Sequence, residues 1–184
     1  MRTRREFLLQ STSGAIALGF LGFLGPAGLA CSRGKPSGDL QVLSEEQAAT
    51  YDAWCDVLAV GASGAGVARY LDQYLAAPFP ETFLFLRLLE NAPLDAFYVN
   101  GIAGIEDESK ARFGKRFLAL TDGQRRSVVD AAATSSTVAW TDPAPSFFYF
   151  ISRADAVDVV YGTERGFLEL GVPYLPHIRP PKPW

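Results

Sequence analysis

The first periodic stretch of the chain opens at Leu43-Ser44-Glu45-Glu46-Gln47. Ser44 with Gln47 three residues on is the pattern of a capping box, and Ala48, Tyr51, Trp54, Cys55 and Leu58 then recur at helical spacing. Cys55 falls on this apolar face and reads as a small core residue, since a reactive thiol needs an electropositive, partly exposed setting. Gly61, Gly64 and Gly66 read as a helix–helix connection. No β-branched strand precedes them, and both the Lys-Ser/Thr pair of a phosphate loop and the dinucleotide spacing are missing. Val67, Tyr70, Leu71, Tyr74 and Leu75 predict a second amphipathic helix, ended by Pro78 and Pro80.

Glu81 to Leu89 is almost wholly apolar, with Phe83, Leu84, Phe85, Leu86, Leu88 and Leu89 broken only by Arg87. A helix apolar on most faces is either central in the core or covered by a partner. Pro93 breaks it. Leu94, Phe97, Tyr98, Gly101, Ile102 and Ile105 predict the next helix, with Gly101 and Gly104 allowing close helix approach. Glu106-Asp107-Glu108-Ser109-Lys110 reads as its solvated face, and the segment closes at Leu120. Thr121 with Gln124 is a second capping box, opening a helix through Val128, Val129 and Ala132.

Ala133 to Pro145 reads as a polar loop holding Trp140 and Pro143. Ser146 is expected to cap a last long helix whose apolar positions are Phe147, Phe148, Phe150, Ile151, Ala154, Val157, Val160 and Tyr161. Gly162 ends it, and a short further turn of helix is expected within Thr163 to Leu170. Five of the 12 prolines fall between Pro173 and Trp184, which favours an extended, polyproline-like course. The pattern predicts a mainly α, compact multi-helix domain over 42–172, followed by a Pro-rich tail over 173–184.

Residues 1–30 stand outside that pattern. A basic start, an uncharged Gly- and Ala-rich stretch and Leu29-Ala30 before Cys31 make an export signal. Arg4 and Arg5, with Phe7 and Leu8 just after, narrow it to the twin-arginine kind, a route for proteins already folded. Residues 31–41 are a flexible tether. Gly28-Leu29-Ala30-Cys31 approximates a lipoprotein cleavage box, but Gly28 stands where a large aliphatic residue is usual. Three fates are therefore open for Cys31: lipid attachment, simple cleavage before it, or retention of the leader as an anchor.

Net charge is −3, and loss of Arg2, Arg4, Arg5 and Glu6 with the leader makes the chain more acidic still. No basic stripe remains to neutralise phosphates, which argues against nucleic acid. The one histidine, His177, lies among the prolines of the tail, and a Ser–His or Cys–His engine would have to use it. His and Cys are too few for a metal site, and no Cys-x-x-Cys-His is present to bind haem covalently. Carboxylates are plentiful, so a hydrolase using carboxylates alone stays open. The sequence displays no active site.

Several segments resemble the gluconate 2-dehydrogenase subunit 3 family. They are Phe147-Phe148-Tyr149-Phe150, Val160-Tyr161-Gly162-Thr163-Glu164-Arg165-Gly166-Phe167 and Leu170-Gly171-Val172-Pro173. The closing Pro176-His177-Ile178-Arg179-Pro180-Pro181-Lys182-Pro183-Trp184 and the opening Leu43 to Ala48 are similar too, as is Ala111-Arg112-Phe113-Gly114. Ala133 to Pro145 carries no such likeness. The resemblance implies a small, non-catalytic subunit of a periplasmic sugar or alcohol dehydrogenase, holding no cofactor itself. It implies a large subunit of the glucose-methanol-choline oxidoreductase type with FAD, and a cytochrome c subunit with haem. The small subunit would escort the large one through twin-arginine export. Phe167, Tyr174, His177 and Trp184 are then candidate partner-binding residues. A stand-alone, lipid-tethered periplasmic binding module is the alternative.

Overall fold

The computed structural model describes residues 39–76 and 94–173, and among them the regular structure is helical, without a strand. Seven α-helices follow in order: α1 (Glu45–Leu58), α2 (Ala62–Ala65), α3 (Val67–Ala76), α4 (Leu94–Phe113), α5 (Asp122–Ala133), α6 (Pro145–Tyr161) and α7 (Glu164–Glu169). A 3₁₀ turn at Phe117–Ala119 joins α4 to α5. All described residues fall in a single compact unit. The leader, the tether up to Gly38, the apolar stretch Phe83–Leu89 and the tail from Tyr174 lie outside the described residues.

Both capping boxes form. Ser44 Oγ accepts from the Gln47 amide at 3.2 Å and Gln47 Oε1 accepts from the Ser44 amide at 2.9 Å, so two orphan donors of α1 are satisfied locally. Thr121 and Gln124 repeat the arrangement at α5. The glycine-rich connection is more ordered than a loop. Gly61 and Gly66, both at φ +88°, bracket the single turn of α2, and this left-handed geometry lets the chain reverse between α1 and α3.

α1 is the central element, packing against α2 to α6 and the 3₁₀ turn. It buries Tyr51, Trp54 and Cys55 completely. Trp54 meets Phe117, Trp140 and Phe148 with ring centroids 5.9–6.1 Å apart, tilted or edge to face. Edge contacts of this kind add about 0.5–1.5 kcal/mol each beyond the area they bury. The close approach at α4 is made by rings from other segments: Phe148 covers Gly101 and Trp140 covers Gly104, leaving no room for a Cβ at either position.

Three expectations are corrected. Ser146 does not cap α6. The helix starts at Pro145 with Ala144 at its N-cap, because proline at the first position lacks only an N–H that would be orphaned anyway and presets the helical φ. The inward face of α6 is also different. Phe148, Ile151, Ser152, Asp155 and Ala156 are buried, whereas Phe150 and Val157 are exposed at 52% and 38%. Two polar residues displace apolar ones there because tyrosine and tryptophan tips on facing helices require acceptors. Finally, Glu108 and Ser109 are buried rather than solvated, and only Asp107 and Lys110 of that run are exposed.

Candidate functional site

Asp72, Glu108 and Asp155 are the buried carboxylates among the described residues. Three acids in one small core would be an engine if they converged. They do not: each has its own set of donors. Asp72, on α3, accepts from the amides of Gln41, Val42 and Leu43 at 2.8–2.9 Å and so pins the entry segment of the chain to the helix. Burial works to raise its pKa, yet those three amides and the nearby Arg69 outweigh burial and hold the carboxyl below its ordinary value.

Glu108, on α4, organises the loop between α5 and α6. Its oxygens accept from the Val138 and Ala139 amides at 2.9–3.1 Å, and Arg112 one turn on pairs with it while also donating to the Ser136 carbonyl at 2.6 Å. Burial raises this carboxyl too, and the Arg112 guanidinium with the two amides more than reverses it. The loop begins with a backbone reversal at Ser135, φ +53°, where the Ser136 amide reaches the Ala131 carbonyl and the Ser135 amide the Ala132 carbonyl. Thr137 Oγ1 then donates to the Trp140 carbonyl at 2.7 Å, and the Trp140 ring enters the core. Trp140 is 2% exposed while its loop neighbour Val138 is 71% exposed.

Asp155, on α6, accepts from Tyr51 Oη at 2.8 Å and Tyr98 Oη at 2.7 Å through the same oxygen, Oδ2. One turn back, Ser152 Oγ accepts from Trp54 Nε1 at 2.8 Å and donates to the Phe148 carbonyl at 2.8 Å. These bonds tie α1 and α4 to α6. Burial first, and the Asp155 charge second, push the Tyr51, Tyr98 and Cys55 groups up. Cys55 is a free, buried thiol, protonated and screened from reagents as its apolar-face position predicts.

Among the described residues no group of three or more His, Cys, Asp and Glu is arranged to hold a metal ion. A cleft of about 90 Å³ lies beside α1, lined by Ala48, Ala49, Asp52, Ser63, Ala68 and Arg69 among others. Pockets for small molecules run from about 300 Å³ upward, so this cleft is too small for a flavin or a sugar. Asp52 is engaged at its edge, accepting from the Ala68 amide at the start of α3.

The outer surface is more informative. Leu168, Leu170 and Val172, exposed at 68%, 57% and 46%, fall within five residues at the end of α7. The Val172 amide returns to the Phe167 carbonyl and the Gly171 amide to the Leu168 carbonyl, a Schellman turn that fixes this exit. Phe167 is half-buried beside it. Arg4, Arg5, Phe7, Leu8, Cys31, Tyr174, His177 and Trp184 lie outside the described residues, so Phe167 is the one candidate partner residue that the fold positions. Asp72 and Asp155 left no signal along the chain, because their partners lie about 30 to 100 residues away. Glu108 carried one faint sign, its i,i+4 spacing to Arg112.

The pattern of a family described as Gluconate 2-dehydrogenase subunit 3 matches residues 45–177, from the first residue of α1 through the last described helix and beyond it. No curated protein and no solved structure matches the chain.

Proposed function

The chain belongs to the gluconate 2-dehydrogenase subunit 3 family, and on that ground we propose that it is the non-catalytic small subunit of a periplasmic sugar or alcohol dehydrogenase. In this reading it binds and stabilises a large flavoprotein subunit of the glucose-methanol-choline oxidoreductase type. It carries that subunit through twin-arginine export by means of Arg4, Arg5, Phe7 and Leu8. FAD belongs to the large subunit and haem to a cytochrome c subunit that takes the electrons onward. The small subunit contributes surface and an address.

The observation that carries the reading is the extent of the family match, which takes in every described helix. Two features support it. The buried carboxylates are each committed to backbone or phenol donors, which suits a scaffold better than a reaction centre. The exposed Leu168, Leu170 and Val172 lead directly into Tyr174, His177 and Trp184, and apolar and aromatic side chains at a fixed exit suit a protein interface.

Purification from the native host after mild extraction tests the proposal. A complex containing an FAD-bearing protein without its own export signal is the expected result, with no flavin retained by the small subunit alone. Oxidation of a sugar by the isolated small subunit would overturn it. A stable monomer without partners would favour the lipid-tethered binding module. Growth with labelled palmitate separates the fates of Cys31: label that vanishes in Cys31→Ala marks a lipid anchor, and unchanged labelling excludes Cys31 as the site.

A further inference from the structure

We propose that the Pro-rich tail, residues 174–184, lies back as a strap over the exposed apolar surface at the end of α6 and α7, with Arg179 and Lys182 against Asp158 and Glu164. The fold builds that surface. A Cβ on Gly166 would meet the Val160 carbonyl oxygen and the Tyr161 Cα at 2.5 Å, so the backbone of α7 sits directly against the end of α6. The contact brings Val157 of α6 to the same end of the molecule as Leu168, Leu170 and Val172, all of them exposed. The charges there are one-sided. Arg165 and Glu169 satisfy each other at 2.6 Å, whereas Asp158 and Glu164 are exposed and pair with no cation among the described residues.

The tail supplies the complement. It carries Arg179 and Lys182 with no acidic side chain, and Tyr174, Leu175, Ile178 and Trp184 to cover apolar surface. The Schellman turn that ends α7 bends the chain out of the helix axis, so the tail starts beside the surface it covers. Its reach is sufficient. At about 3.1 Å per residue in a polyproline-like course, residues 174–184 span about 34 Å. The six residues of α7 span only about 9 Å. A proline-stiffened segment loses little freedom on docking, and its attachment at Pro173 removes the cost of bringing two molecules together.

The same surface is the one proposed for the large subunit, so the two occupants exclude each other. Displacement of the tail then frees Tyr174, His177 and Trp184 for the partner. That exchange rests on the proposed function, whereas the strap itself does not.

The purified subunit, without any partner, tests the strap. A zero-length carbodiimide cross-linker joins an amine to a carboxylate only where the two already touch. It is expected to link Lys182 to Asp158 or Glu164 within one chain, as read by mass spectrometry of the digest. Trp184 gives a second reading, because Trp54 and Trp140 are buried and acrylamide reaches the tail tryptophan first. Single surface ion pairs are weak, so the variants reverse charge rather than remove it. Arg179→Glu with Lys182→Glu should raise the Trp184 quenching constant roughly threefold, and adding Asp158→Lys with Glu164→Lys should return it to the wild-type value. No link from Lys182 to either carboxylate, or a quenching constant that charge reversal leaves unchanged, would overturn the strap. Links between chains that grow with protein concentration would also overturn it, and would give the surface to a second copy. Failure on any of these counts leaves the proposed function standing, since no partner enters the measurement.

Discussion

The Trp140 indole lies directly over the bare backbone of Gly104, on the face of α4 that a Cβ would otherwise occupy. This contact joins a loop without regular structure to the longest described helix. It also explains why a tryptophan is tolerated with its Nε1 lacking a hydrogen-bond partner among the described residues. The ring's burial against Trp54 and Phe148 outweighs the roughly 1–3 kcal/mol cost of an unpaired donor.

Gly104→Ala tests that contact. Alanine in a helix is better than glycine by about 1 kcal/mol, so a gain is expected if space is available. Here the methyl group meets the indole, and displacing a buried tryptophan costs about 3 kcal/mol or more. The net expectation is a loss of about 2 kcal/mol in urea unfolding, with faster amide exchange in residues 134–144.

Glu108→Gln should be more damaging than its position in an acidic run suggests. The variant keeps the shape but removes the charge opposite Arg112 and turns an NH2 toward the Val138 or Ala139 amide. A loss of about 2–4 kcal/mol is expected. Limited proteolysis should then cut within the loop between α5 and α6 first. Little change in stability would mean that the loop is held by Trp140 alone.

The pinned entry segment gives an acid-side prediction. Asp72→Asn retains one oxygen, sufficient for Val42 and Leu43, but loses the acceptor for the Gln41 amide, at a cost of about 1–2 kcal/mol near neutral pH. Because the wild-type carboxyl is held low, its contribution is present above the ordinary aspartate range and is lost as pH falls through the folded value. The variant and the wild type should therefore converge in stability as the solution is made strongly acidic, as read by circular dichroism.

The exit of α7 should separate binding from folding. Leu168→Asp with Leu170→Asp alters two exposed side chains, so stability should change by no more than about 0.5 kcal/mol per site. Retention of the proposed flavoprotein partner in a pull-down should fall at least tenfold. A complex of unchanged affinity would place the interface elsewhere.

Features set by contacts within one turn were legible in the sequence. Ser44–Gln47 and Thr121–Gln124 are complete capping boxes because donor and acceptor lie three residues apart. The apolar face of α1 was legible too, since Ala48, Tyr51, Trp54 and Cys55 recur at helical spacing and all four are buried. Contacts across distance were not. Glu108 looks like one solvated acid among several, and only an amide pair 30 residues on draws it inward. Phe150 and Val157 look like core by composition, yet Ser152 and Asp155 take the inward positions to serve Trp54, Tyr51 and Tyr98. The candidate partner surface was half legible. Aromatic and proline-rich residues after Pro173 drew notice, whereas Leu168, Leu170 and Val172 became distinctive only through their exposure.

Cell fractionation of an Arg4→Lys, Arg5→Lys double variant tests the central claim most directly. A folded-protein export signal on a subunit that escorts its partner must act on both chains at once. The expected result is that the flavoprotein and its sugar- or alcohol-oxidising activity stay in the cytoplasm together with the altered chain. Normal periplasmic delivery of the flavoprotein in that strain would contradict the escort role.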